Sequence, residues 1–349
     1  MTNRYIYLTL LAVLGFKAET VAQAQGPDGA PRLVLSIAID QLRSDYLDAF
    51  SSYYGDKGFK RLLSQGIVFT SASYPFTPVD RASAVAALAS GVSPYFNSII
   101  GQRWLNRETL RPVWCTDDPK YLGLETSQTA SPAAISTSTT GDELKVATGG
   151  LAVVWSVAPY CDAAVMAGGH AADGALWIDD ERGEWCSSQY YFASLPQWVR
   201  LINKGSAPGK RAQGKDAQRY RRFKHGTLVN RSVTTMAQHC IANTGMGADA
   251  ATDLLCVTYN AAATDGQQQA PAKNGLKDAY VSLDAELAQL MDYAEQQAGE
   301  GNVLFVVTST GCVEEREEAD YQKYRIPTGT FYMSRTADLL KMYMGAIWG

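Results

Sequence analysis

RLVLSIAID (32–40) is a continuous apolar run of strand length that ends on an acid, Asp40. An apolar run without alternation implies a strand covered on both faces, as in the parallel sheets of α/β proteins. Two later runs repeat it, ATDLLCVTYN (251–260) and GNVLFVVTST (301–310). Between them AYVSLDAELAQLMDYAEQQ (279–297) has helical spacing at Val281, Leu283, Leu287, Leu290 and Met291. Strand, helix, strand alternation predicts an α/β fold, a mostly parallel sheet with helices on both faces. In such sheets ligand chemistry gathers at the carboxyl ends of the strands. The places to inspect are therefore Asp40, the segment before Arg81, residues 260–265 and 308–311. IVFTSASYP (67–75) reads as a further strand, and SDYLDAF, GFKRLLSQG and STTGDEL read as helical.

The bulk properties narrow the class. The chain has 349 residues, 46% apolar and 19% charged, enough for a sizeable core. Its net charge of −4 gives no reason to expect nucleic-acid binding. Met1 to Arg4, the apolar YIYLTLLAVLGF and Ala22-Gln23-Ala24 together form a secretory signal pattern over 1–24, cleaved near Ala24. The mature chain is then expected in the periplasm, the cell envelope or the medium, with no transmembrane span. Six Cys residues without a C-x-x-C pair argue against a zinc finger and allow one or two disulfides beside buried thiols. Residues 203–225 carry eight Lys or Arg against Asp216 and read as an exposed basic loop.

TPVDRASAVAALASGVSPYFNSIIGQRW (77–104) has the form of a nucleophile's surroundings, a Pro before a small-residue helix closed by Gly91. Arg81 stands where a hydroxyl would be expected. With IAIDQLRSDYL, GFKRLLSQG, AGGHAADGALWIDD and RIPTGTF in the same order, the chain resembles the alkaline phosphatase superfamily, in its branch of type I phosphodiesterases and PafA-type phosphatases of bacterial envelopes. The resemblance implies phosphoryl or phosphodiester transfer at two zinc ions, a Thr or Ser nucleophile at a helix start, and Asp and His ligands at strand ends.

Carried over position by position, that pattern mostly fails. Asp40 is the only ligand position retained. The nucleophile falls on Arg81, and the His of a Pro-x-x-His-Gly turn falls on Asn97. An Asp and a His four residues apart fall on Ala263 and Gln267, and the next Asp-His pair on Thr310 and Gly311. The phosphate-contacting Lys and Arg fall on Tyr160 and Asp162. Thr77, Ser83 and Asp265 are neighbours that could substitute. The three His residues are His170, read as structural, His225 and His239.

The expectation is a phosphatase-fold domain over 25–349, with an inserted irregular and basic region at about 105–230 and the family's C-terminal part missing. It is expected to be catalytically inactive, a binding or assembly subunit with a protein partner in the envelope and no cofactor. The alternative is a divergent metal-dependent phosphomonoesterase or phosphodiesterase with displaced ligands. In the first case Arg81 either pairs with Asp40 in place of metal or binds an anion. Residues 189–198, 203–225 and 314–320 are candidate contact surfaces.

Overall fold

A computed structural model describes residues 29–212, 218–261, 273–311, 325, 327 and 331–348. The signal pattern, Ala263, Asp265, Gln267, Cys312 and residues 314–320 lie outside the described residues. The chain divides into two units, Met1–Cys312 and Val313–Gly349. In the second, helix α11 (Met333–Trp348) carries exposed side chains throughout.

The first unit holds a seven-stranded sheet in the order β4-β7-β6-β5-β8-β1-β9. These strands are β1 (Leu33–Asp40), β4 (Gly123–Leu124), β5 (Val154–Val157), β6 (Gly174–Ile178), β7 (Trp185–Ser188), β8 (Asp253–Asn260) and β9 (Val303–Ser309). From β6 to β9 every pairing is parallel, and β7 and β4 close the far edge antiparallel. A separate hairpin pairs β2 (Arg103–Asn106) with β3 (Arg111–Trp114).

β1 shows why the run is apolar throughout. Leu33, Leu35, Ile37 and Ile39 enter one core with α9 (Asn230–Thr244) and α10 (Lys273–Ala298), while Val34 and Ala38 pack into a second core. That second core gathers α3 (Arg81–Ser90) and α6 (Cys161–Gly168). Both faces are thus covered, as the sequence predicts.

Three expectations need correction. Residues 67–75 form no strand, and Ile67 and Phe69 are exposed. Among the described strands β9 lies at the edge of the sheet, and Leu304 and Val306 are about half exposed rather than covered. Cys115, Cys161, Cys186, Cys240 and Cys256 are all free thiols, so the described residues contain no disulfide.

Candidate functional site

The site lies where theory places it, beyond the carboxyl ends of β1, β8, β9 and β5. α3 starts at Arg81 because Asp80 caps it. The Asp80 side chain accepts from Ser83 N at 2.9 Å, and Ser83 Oγ accepts in return from Asp80 N at 3.0 Å. The second Asp80 oxygen takes Gln102 N at 2.7 Å, anchoring the return of the chain. Ser83 is fully buried and committed to this cap, so it offers no substitute hydroxyl. Thr77 is exposed and does not belong to the helix.

Arg81 at the first helical position turns inward. Its Nη1 donates to Asp40 Oδ2 at 3.1 Å, and its Nε and Nη2 reach both oxygens of Asp162 at 3.1–3.3 Å. The guanidinium carbon lies 3.5 Å from the centre of the Tyr160 ring. Side-chain exposure is only 12% for Arg81, 6% for Asp40 and 12% for Asp162. Burial alone would lower the Arg81 pKa, but the carboxylates of Asp162 and Asp40 outweigh it and raise it further. Thr310, buried after β9, donates from Oγ1 to the other Asp40 oxygen at 2.6 Å.

Five of the predicted positions therefore meet: Asp40, Arg81, Tyr160, Asp162 and Thr310. Asn97 is spent on its own turn. Its amide donates to Ser90 Oγ and Val92 O, and its Oδ1 accepts from Ile99 N. The next residue, Ser98, occupies the turn's glycine position at φ 69°, a left-handed conformation costing a side chain about 1 kcal/mol.

Sequence reading missed the Asp162 contact and the floor of the site. The supposed basic loop is in part buried. Lys224, with a side chain 5% exposed, bonds Ile178 O and pairs with Asp180 at 2.5 Å. Tyr160 donates its hydroxyl to Lys224 O at 2.9 Å and lies 3.1 Å from His225 Nδ1. Burial first, then the charges of Arg81 and Lys224, lower the His225 pKa and keep the ring neutral. The signal available was modest: in RYRRFKH the apolar Phe223 stands beside Lys224, and both are buried while Arg221 is exposed.

His170 is structural. Its Nδ1 lies 3.1 Å from Asp142 Oδ2 and its Nε2 3.1 Å from Ile135 O. Both neighbours are acceptors, so only the doubly protonated ring satisfies both. The Asp142 hydrogen bond accordingly raises the His170 pKa above 6.5. The stability this gives is fully present below the ordinary His value and lost as pH rises through the raised one. The midpoint advantage of the wild type over His170→Gln should therefore be largest near pH 6 and shrink as unfolding is repeated at stepwise higher pH.

The two zinc ions implied by the resemblance can be tested against these donors. Asp40 spends one oxygen on Thr310 and the other on Arg81, and a fixed guanidinium charge opposes a divalent ion there. Among the described residues no three His, Cys, Asp or Glu side chains are grouped to hold a metal. The described donors do not fit a dinuclear site.

Comparison with known proteins agrees on the family. The model of "Type I phosphodiesterase / nucleotide pyrophosphatase" matches residues 34–340. The alkaline phosphatase PhoV of Synechococcus elongatus is 30% identical over 321 residues, 80% of this chain and 58% of PhoV. The alkaline phosphatase PafA of Elizabethkingia meningoseptica is 28% identical over 387 residues, 97% of this chain and 70% of PafA. The crystal structure of wild-type PafA superposes with a TM-score of 0.80 at 25% identity, covering 90% of this chain and 69% of that one. The chain thus spans less than two thirds of the length of PhoV.

These relatives overturn the expectation that no cofactor belongs here. They are alkaline phosphatases, and two zinc ions are the cofactor that the resemblance attaches to that chemistry. With the family model matched from the first strand to the last helix, the chain belongs to the type I phosphodiesterase / nucleotide pyrophosphatase family, within the alkaline phosphatase superfamily.

Proposed function

We propose that this chain is a catalytically inactive phosphatase-fold protein that serves as a binding or assembly subunit in a bacterial envelope. One observation carries the reading: the residue at the nucleophile position is a guanidinium clamped between Asp40 and Asp162. A permanently protonated side chain cannot attack phosphorus, and Asp40, the one retained ligand position, is its partner. The exchange is reciprocal. Where the resemblance implies cations that contact phosphate, this chain has Tyr160 and Asp162, which receive the Arg81 cation instead.

The triad of one cation and two carboxylates carries a formal charge of −1, so it repels a phosphate ester rather than attracting it. That disfavours Arg81 as an anion site. The signal pattern at 1–24 supports export, with a protein partner in the envelope. Among the described residues no helix is long and apolar enough to cross a membrane.

The test is hydrolysis of p-nitrophenyl phosphate and bis(p-nitrophenyl) phosphate, with and without added zinc. The expected rate equals that of the buffer blank in every case. Zinc-dependent turnover that disappears in Asp40→Ala would overturn the proposal and favour the divergent hydrolase.

A further inference from the structure

A chain with net charge −4 concentrates cations in one stretch. Residues 197–225 hold Arg200, Lys204, Lys210, Arg211, Lys215, Arg219, Arg221, Arg222 and Lys224 against the single acid Asp216. The fold accounts for some of them. Lys224 is buried against Asp180, Lys210 Nζ caps the carbonyls of Lys204 and Gly205 at the end of α7 (Gln197–Ser206), and Arg211 reaches Ser232 Oγ. Arg200, Lys204 and Arg221 have no such explanation. All three are exposed and have no carboxylate partner among the described residues.

Their arrangement is regular. On α7 positions 197, 200, 201, 204 and 205 are exposed along one face, as is the terminal 206, while Val199 and Asn203 are buried on the other side. Arg200 and Lys204 are thus stacked four residues apart as like charges, an arrangement that costs helix stability. The segment after α7 is locked to α8 (Arg219–His225). Gly209 N donates to Gly183 O, and a Cβ added at either Gly209 or Gly183 would meet the Tyr220 ring at under 3 Å. The Arg219 guanidinium lies over that same ring, 4.1 Å from its centre. The segment that follows α7 and the start of α8 are therefore held together by tight packing. Leu201, 60% exposed, lies between Arg200 and Lys204 and interrupts the cations with apolar surface.

We propose that this basic face adsorbs to an anionic phospholipid bilayer. Unpaired cations spread over the solvent sides of helices complement a diffuse negative surface rather than a single carboxylate. An exposed leucine between long Lys and Arg stems suits the headgroup boundary, where the stems lie against apolar material and their charges reach the phosphates. The proposal is independent of whether the phosphatase site turns over.

Flotation of the purified chain with vesicles tests it, using phosphatidylcholine alone or with about a third phosphatidylglycerol. The protein should float only with the anionic vesicles and detach as salt shortens the screening length. Each cation near such a surface is worth about a factor of five in partition, so Arg200→Gln/Lys204→Gln/Arg221→Gln should lose roughly a hundredfold. The Glu triple at the same positions should abolish flotation. Arg107→Glu/Arg111→Glu/Lys120→Glu makes the same charge change on other exposed cations and should float nearly as wild type. Equal flotation with both vesicle types, or equal loss in both Glu triples, would overturn the proposal. Circular dichroism establishes that each variant is folded.

Discussion

Replacing Arg81 by Leu should cost about 3–5 kcal/mol of folding stability, because it leaves two carboxylates buried without their shared cation. Asp40 would keep the Thr310 hydroxyl at 2.6 Å, but Asp162 would lose every side-chain partner that Arg81 supplies. The Tyr160 ring would also lose the guanidinium 3.5 Å above it. Urea unfolding followed by circular dichroism measures the loss.

The stability of such a cluster is not the sum of its pairs, and a second variant separates the two quantities. Arg81→Leu/Asp162→Leu removes the orphaned acid with the cation and replaces both by apolar bulk. It should recover at least about 2 kcal/mol relative to Arg81→Leu alone, since the penalty comes from the unpaired charge. A single-variant loss under about 1 kcal/mol, or no recovery in the double, would mean that Arg81 and Asp162 do not depend on each other. Their reciprocal exchange, the basis of the inactivity argument, would then lose its support.

How far the sequence reveals this site depends on which information is local. Strand ends are local: LVLSIAID announces both its burial on two faces and the acid at its tip, and Asp40 lies there. Helix starts are local too, and Asp80 with Ser83 three residues on marks Arg81 as the first helical residue. What brings Asp162 to Arg81 is not local. The two lie 81 positions apart, and only the packing of α6 against α3 joins them. Alternation also failed to place β9 at the sheet edge, since VLFVVTS reads the same whether its outer side is covered or open. The basic stretch misled for a related reason: Lys224 is buried because Asp180 and Ile178 O, 44 and 46 residues away, receive it.

Asp284 shows the same principle with a larger structural consequence, and its removal should be the second severe loss. The segment SLDAEL carries an acid on the buried face of α10, 3% exposed, where periodicity alone would place an apolar residue. Its two oxygens accept from Gly55 N at 2.8 Å and from Phe59 N at 2.6 Å, the second being the first amide of α2 (Phe59–Gln65). An anion at a helix start satisfies an otherwise orphaned donor and the helix dipole together. Gly58 makes room for it, since a Cβ there would lie 2.2 Å from Asp284 Oδ1. The motifs GFKRLLSQG and SLDAEL are thus two halves of one contact that holds the chain leaving Asp40 against α10. Asp284→Ala strips two buried amides of charge-assisted bonds and should cost about 3–4 kcal/mol in urea unfolding. Asp284→Asn keeps one acceptor but turns a donor toward the other amide, and should lose about half as much. Lys57→Ala breaks a pair with Asp292 on the same interface, but its side chain is 70% exposed, so the change should stay within about 1 kcal/mol. If Asp284→Ala proved as mild as Lys57→Ala, the two amides would have other partners, and α2 would be held by its apolar contacts alone.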